Sequence, residues 1–93
     1  MAEPPPQPGH TIWVTVRYFA AAQEAAGVDV ETVPLPASST LAELCESLAA
    51  RNSPLAEVLR RCSYLRQGVA VRALNTTLSC GDIVDVLPPF SGG

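Results

Sequence analysis

Ile83-Val84-Asp85-Val86-Leu87-Pro88-Pro89-Phe90-Ser91-Gly92-Gly93 is the stretch from which the rest of the chain is best read. Ile83 to Leu87 is nearly continuous in apolar residues, the pattern of a strand central in a sheet. Pro88 and Pro89 have no N–H to give a ladder and stop that strand. Phe90, Ser91, Gly92 and Gly93 then run off the domain with no residue left to anchor them, so residues 89–93 read as a flexible tail. From Pro88 to Gly93 an extended chain reaches about 20 Å, enough to enter a tunnel in another protein.

A last strand that is also central needs neighbours from earlier in the chain, and the pattern supplies them. Ser79 to Asp82 is turn chemistry, with Gly81 available for positive φ. After Gly68, the residues Val69, Val71 and Leu74 suggest a third strand. Before it, Ser53-Pro54 starts a short helix whose inward side is Leu55, Val58, Leu59 and Cys62. The clearest helix precedes that one: Thr40 and Glu43 form a capping box, Leu41, Leu44, Cys45 and Leu48 share one face, and Asn52 ends it. Val28 to about Leu35 reads as the second strand from its β-branched residues, with Pro34 and Pro36 confining its far end to a sheet edge. Ala20 to Ala26, ended by Gly27, is a short helical turn. In the first strand Ile12, Val14, Val16 and Tyr18 alternate with Trp13, Thr15, Arg17 and Phe19, which gives it a populated second face. Two strands joined by so short a connection pair antiparallel.

Residues 1–10, with Pro4, Pro5, Pro6 and Pro8, carry almost nothing to bury and read as a disordered leader; residues 11–88 form the domain. The fold class is α+β, a mixed sheet of four to five strands with helices on one face. At 93 residues the chain buries only roughly 60 to 65% of its unfolded surface, which is one modest core. With 47% hydrophobic and 16% charged residues, the composition is globular. A net charge of −3, with arginines scattered among carboxylates, leaves no basic stripe for nucleic acid. No apolar run reaches membrane-span length and no signal peptide opens the chain, so the expected compartment is the cytoplasm, with no membrane partner. Cys45, Cys62 and Cys80 are an odd number without a paired motif, and His10 is the single histidine. That pattern is neither a disulfide framework nor a metal site, and it reads as small buried or half-buried thiols in a reducing compartment.

The chemistry therefore falls on the tail. Without a Cβ at Gly92 and Gly93, a narrow channel meets backbone alone, and the Gly93 carboxylate can approach the α-phosphate of ATP. Two terminal glycines can also be simple fraying, but a carboxylate there is a poor electrophile that a partner enzyme would first convert to an acyl-adenylate, from which persulfide sulfur could displace AMP to leave a thiocarboxylate. Water has to be excluded throughout.

Arg17-Tyr18-Phe19-Ala20, Ala26-Gly27, Leu41-Ala42-Glu43-Leu44, Gly81-Asp82 and above all Leu87-Pro88-Pro89-Phe90-Ser91-Gly92-Gly93 resemble the molybdopterin synthase small subunits, the MoaD family. The resemblance runs from about Thr11 to Gly93; Arg61-Cys62-Ser63-Tyr64-Leu65 and Val86 to Gly93 are most similar to actinobacterial members. It departs at Val71-Arg72-Ala73, where members commonly carry Asn after the valine. It implies a ubiquitin-like β-grasp fold and adenylation and thiocarboxylation of Gly93 by an ATP-using, MoeB/MoeZ-like activating enzyme. It also implies insertion of the tail into a MoaE-like catalytic large subunit, within a heterotetramer that adds sulfur to cyclic pyranopterin monophosphate. The chain itself would bind no cofactor and would be non-catalytic alone. Its contact residues would be Pro88, Pro89, Phe90, Ser91 and Gly92 of the tail; the residues themselves offer Phe19, Leu74, Leu87 and Phe90 as a hydrophobic docking surface, with ordinary sheet-face core as the other reading of Phe19 and Leu74. The other readings are a sulfur carrier for cysteine, thiamine or tRNA thiolation, and a non-covalent ubiquitin-like interaction module.

Overall fold

The computed structural model describes residues 11–89. The leader of residues 1–10 and the tail residues Phe90, Ser91, Gly92 and Gly93 lie outside the described residues, as do the expectations placed on them. Eight elements follow in order: β1 (Thr11–Tyr18), α1 (Ala21–Ala26), β2 (Val30–Pro36), α2 (Leu41–Arg51), α3 (Ser53–Leu59), β3 (Ser63–Arg66), β4 (Val69–Ala70) and β5 (Ile83–Leu87). They form one mixed sheet in the order β2-β1-β5-β3-β4. The last strand is thus the middle one, parallel to β1 and antiparallel to β3.

The alternation in β1 decides which side of the sheet is covered. Ile12, Val14, Val16 and Tyr18 are buried, and the register sets Val84 and Val86 beside Val16 and Tyr18. Val33 and Leu35 of β2 and Tyr64 of β3 share that face. The helices pack on it. Leu41, Leu44 and Leu48 of α2 and Leu55 and Leu59 of α3 are buried against it, each contributing about 1.5–3 kcal/mol relative to an exposed side chain. The capping box forms as read: Glu43 N donates to Thr40 Oγ1 at 3.2 Å, and Thr40 N donates to Glu43 Oε1 at 2.8 Å. Asn52 then serves two helices. Its Oδ1 accepts from Leu55 N to cap α3, and its Nδ2 donates to Ala25 O of α1, both at 2.9 Å.

Two strands differ from the reading of the sequence. The third strand lies before Gly68, not after it: Ser63–Arg66 pairs with β5, and only Val69 and Ala70 return as β4. Leu74 falls outside every strand. The second strand starts at Val30 rather than Val28, because Gly27 closes α1 in the left-handed region and the chain needs Val28 and Asp29 to turn. At the edge, Tyr18 N donates to Asp29 O, so the odd residues of β2 face β1. Pro34 and Pro36 therefore point outward, where a missing N–H breaks no ladder bond.

Candidate functional site

Because helices cover one face, the other face of the sheet has no layer over it among the described residues. Alternation puts Trp13, Thr15, Arg17 and Phe19 there from the β1 segment, with Ile83, Asp85 and Leu87 from β5, Val30, Thr32 and Pro34 from β2, and Leu65 from β3. Trp13 is 45% and Val30 48% exposed, and Phe19 and Ile83 are exposed too. Leu87 is half-buried. Large apolar side chains exposed together on one sheet face make a candidate partner surface.

In the middle of this face lies an ion pair. Arg17 Nε meets Asp85 Oδ1 at 2.6 Å and Nη2 meets Oδ2 at 3.0 Å, while the Asp85 side chain is only 7% exposed. The hydrogen bond to Asp85 and then its charge push the Arg17 guanidinium further above its already high range. Its carbon lies 5.8 Å from the centroid of the Phe19 ring, a cation–π distance.

β5 ends at the rim of the same face. Phe19 N donates to Val86 O at 3.3 Å, which holds Phe19 beside the end of β5, and Pro88 and Pro89 follow Leu87 at once. Pro88 and Pro89 also line a groove of about 230 Å³ with Ala21, Glu57, Val58 and Arg61.

Of the residues expected on a docking surface, the structure brings Phe19 and Leu87 together at the tail root. It does not bring Leu74 there. Leu74 lines a separate groove of about 520 Å³ on the helix side, with Cys45, Leu59, Cys62, Tyr64 and Val71, because its segment returns to the start of α2, where Ala42 N donates to Leu74 O at 2.9 Å. Trp13, Val30, Ile83, Arg17 and Asp85 are the members of the open face that were not singled out. Part of the signal was present: odd positions of β1 share the side of Phe19, which marks Trp13 and Arg17, and an acid within an apolar central strand demands a partner, which marks Asp85, whereas Val30 and Ile83 join the face only through the strand register.

The helix-side groove offers little chemistry. Burial raises the Cys62 thiol to about 11 and also raises the Cys45 thiol, the latter partly offset by a hydrogen bond with Tyr64. Both stay protonated at neutral pH and are poor nucleophiles. Among the described residues no cluster could hold a metal ion, and no helix is long and apolar enough to cross a membrane.

Comparison with known proteins agrees with this geometry. The molybdopterin synthase sulfur carrier subunit of Chlamydomonas reinhardtii is 32% identical over 81 residues, 86% of this chain and 98% of that protein. Subunit 1 or 2 in the complex of molybdopterin-converting factor subunits from Helicobacter pylori matches at 30% identity and a TM-score of 0.62, covering 88% of this chain and all of that one. SAMP1 from Haloferax volcanii matches at 26% identity and a TM-score of 0.77, covering 87% and 99%. The ThiS family model matches residues 16–93, and the chain, a ubiquitin-like β-grasp protein, belongs to that family.

Proposed function

We propose that this chain is the sulfur-carrier small subunit of a molybdopterin synthase, working through the carboxylate of Gly93. One observation carries the reading: the central strand β5 runs straight into Pro88-Pro89 at the rim of an uncovered apolar face. A protein seated on that face receives the tail at its own surface. The relative named as a sulfur carrier subunit, and the complex of the two converting-factor subunits from Helicobacter pylori, support the assignment.

The chemistry follows from what the chain lacks. Residues 11–93 contain no histidine or lysine, and the two half-buried thiols are held protonated, so activation belongs to a partner. An ATP-using enzyme joins the Gly93 carboxylate to AMP and releases pyrophosphate. The outer sulfur of a persulfide attacks the acyl carbon and expels AMP, and cleavage of the acyl disulfide by a thiol leaves the thiocarboxylate. The large subunit then draws Phe90 to Gly93 into a dry channel, and sulfur passes to cyclic pyranopterin monophosphate there. Phe19 and Leu87 dock on the partner beside Phe90.

The test is reconstitution. Thiocarboxylated chain with its cognate large subunit is expected to convert cyclic pyranopterin monophosphate, and neither component alone is. Failure of that pair, together with sulfur delivery to a cysteine precursor, a thiazole precursor or tRNA, would place the carrier in another pathway.

A further inference from the structure

Docking through the open face accounts for its apolar residues but not for the charge at its centre. Asp85 stands on the central strand with its side chain almost wholly covered, and Arg17 closes on it from β1 with Nε and Nη2. A guanidinium carries five N–H groups, of which this side-on fork uses two. The remaining three, two on Nη1 and one on Nη2, have no acceptor among the described residues, and the Arg17 side chain is 49% exposed. In the isolated chain water meets them. The Phe19 ring flanks the guanidinium, and Asp85 fixes its orientation, so the end bearing Nη1 and Nη2 presents two parallel donors away from the carboxylate.

A wholly apolar partner surface would strip those donors of water and return nothing, which is among the more expensive ways to bury a polar group. A carboxylate matches the free fork, since two parallel N–H groups fit its two oxygens and the bonds are charge-assisted. We propose that Arg17, held by Asp85 and flanked by Phe19, is a specificity-determining residue of the open face, and that the partner presents a carboxylate set within an apolar patch. The inference rests on the open face being the docking face for the large subunit. Asp85 is then a positioning residue. Partners of the same shape whose patch lacks the carboxylate are rejected, because they leave Arg17 unsatisfied.

Calorimetric titration of the cognate large subunit in about 50 mM and 500 mM salt tests this, using wild type, Arg17→Lys, the double variant Arg17→Leu/Asp85→Leu, and Phe19→Ala. Arg17→Lys keeps the charge opposite Asp85 and keeps the fold, but a single ammonium cannot make the fork. It is expected to bind at least tenfold more weakly. The double variant leaves no orphan charge and is expected to lose at least tenfold in affinity at low salt, along with most of the salt dependence seen for wild type. If both variants bind as tightly as wild type while Phe19→Ala binds weakly, Arg17 does not read the partner and the inference fails alone. If the losses appear but wild-type affinity is independent of salt, the acceptor is a neutral carbonyl and the carboxylate is wrong. If Phe19→Ala binds like wild type, or wild type does not bind, the docking reading fails and this inference falls with it.

Discussion

The three cysteines differ by where the fold puts them. Cys80 is exposed in the turn before β5, and its sulfur accepts a 3.4 Å contact from Trp13 N. Cys45 and Cys62 are half-buried between α2, α3 and β3, and burial raises Cys62 from 9.0 to about 11. Two pKa steps mean roughly a hundredfold less thiolate at pH 8. Iodoacetamide at pH 8, followed by peptide mass mapping, should therefore label Cys80 first and Cys62 far behind it. Labelling of Cys62 should accelerate about tenfold per pH unit until about pH 11; equal rates for the two would contradict the burial. The same shift has a sign for stability: the contribution of Cys62 is fully present below about pH 9 and is lost as pH rises through about 11. The odd number and lack of motif read as buried or half-buried thiols, which holds for Cys45 and Cys62 and not for Cys80, exposed because it sits in the turn before β5. The sequence did not allow Arg17 to be matched with Asp85, because 68 residues separate them and only the adjacency of β1 and β5 brings them together.

At the scale of elements, two residues carry more of the fold than their size suggests. Asn52 caps α3 and ties it to α1, so Asn52→Ala removes a cap and leaves Ala25 O without its donor. The expected loss is about 1–2 kcal/mol, or about 4–8 °C in Tm for each kcal/mol in a domain this small; an unchanged melting curve would mean that water replaces both bonds. Ala20, between β1 and α1, has φ 51° and ψ −126°, a region where a Cβ costs roughly 1–2 kcal/mol. Its side chain is exposed, so Ala20→Gly loses no packing, and the flexibility it adds to the unfolded chain costs roughly 0.5–1 kcal/mol. Denaturant unfolding should show a net gain of about 0.5–1 kcal/mol; a loss would contradict the strained turn. Helices were the legible elements because the Thr40–Glu43 box and the Leu spacing are local signals. Strand β3 was not, since Ser63-Tyr64-Leu65-Arg66 buries one residue, Tyr64. Its hairpin turns at Gln67 and Gly68, with φ of 52° and 81°, a two-residue connection that Asn-Gly announces more plainly. The apolar residues after Gly68 therefore attracted the strand assignment, although Val69 is 68% exposed.

For the whole molecule, the arrangement that matters among the described residues is a core on one side of the sheet, an apolar face with no layer over it on the other, and Pro88-Pro89 where the two meet. The tail chemistry could be argued from Pro88 to Gly93 alone, since it needs only a slender end and a carboxylate. The face beside it could not, because its members come from four strands whose order is not sequential. The central claim is that Gly93 is the working group, and intact mass tests it most directly. Wild type, a Gly93 deletion and a one-residue alanine extension are each incubated with activating enzyme, ATP and a sulfur donor, with circular dichroism confirming that all three fold. Wild type should gain about 16 Da as sulfur replaces one oxygen of the acyl group. In both variants the carboxylate is displaced by about 3.5 Å, which should slow transfer more than a hundredfold and leave the mass unchanged over the same interval. Gain of sulfur by either variant at the wild-type rate would contradict the account.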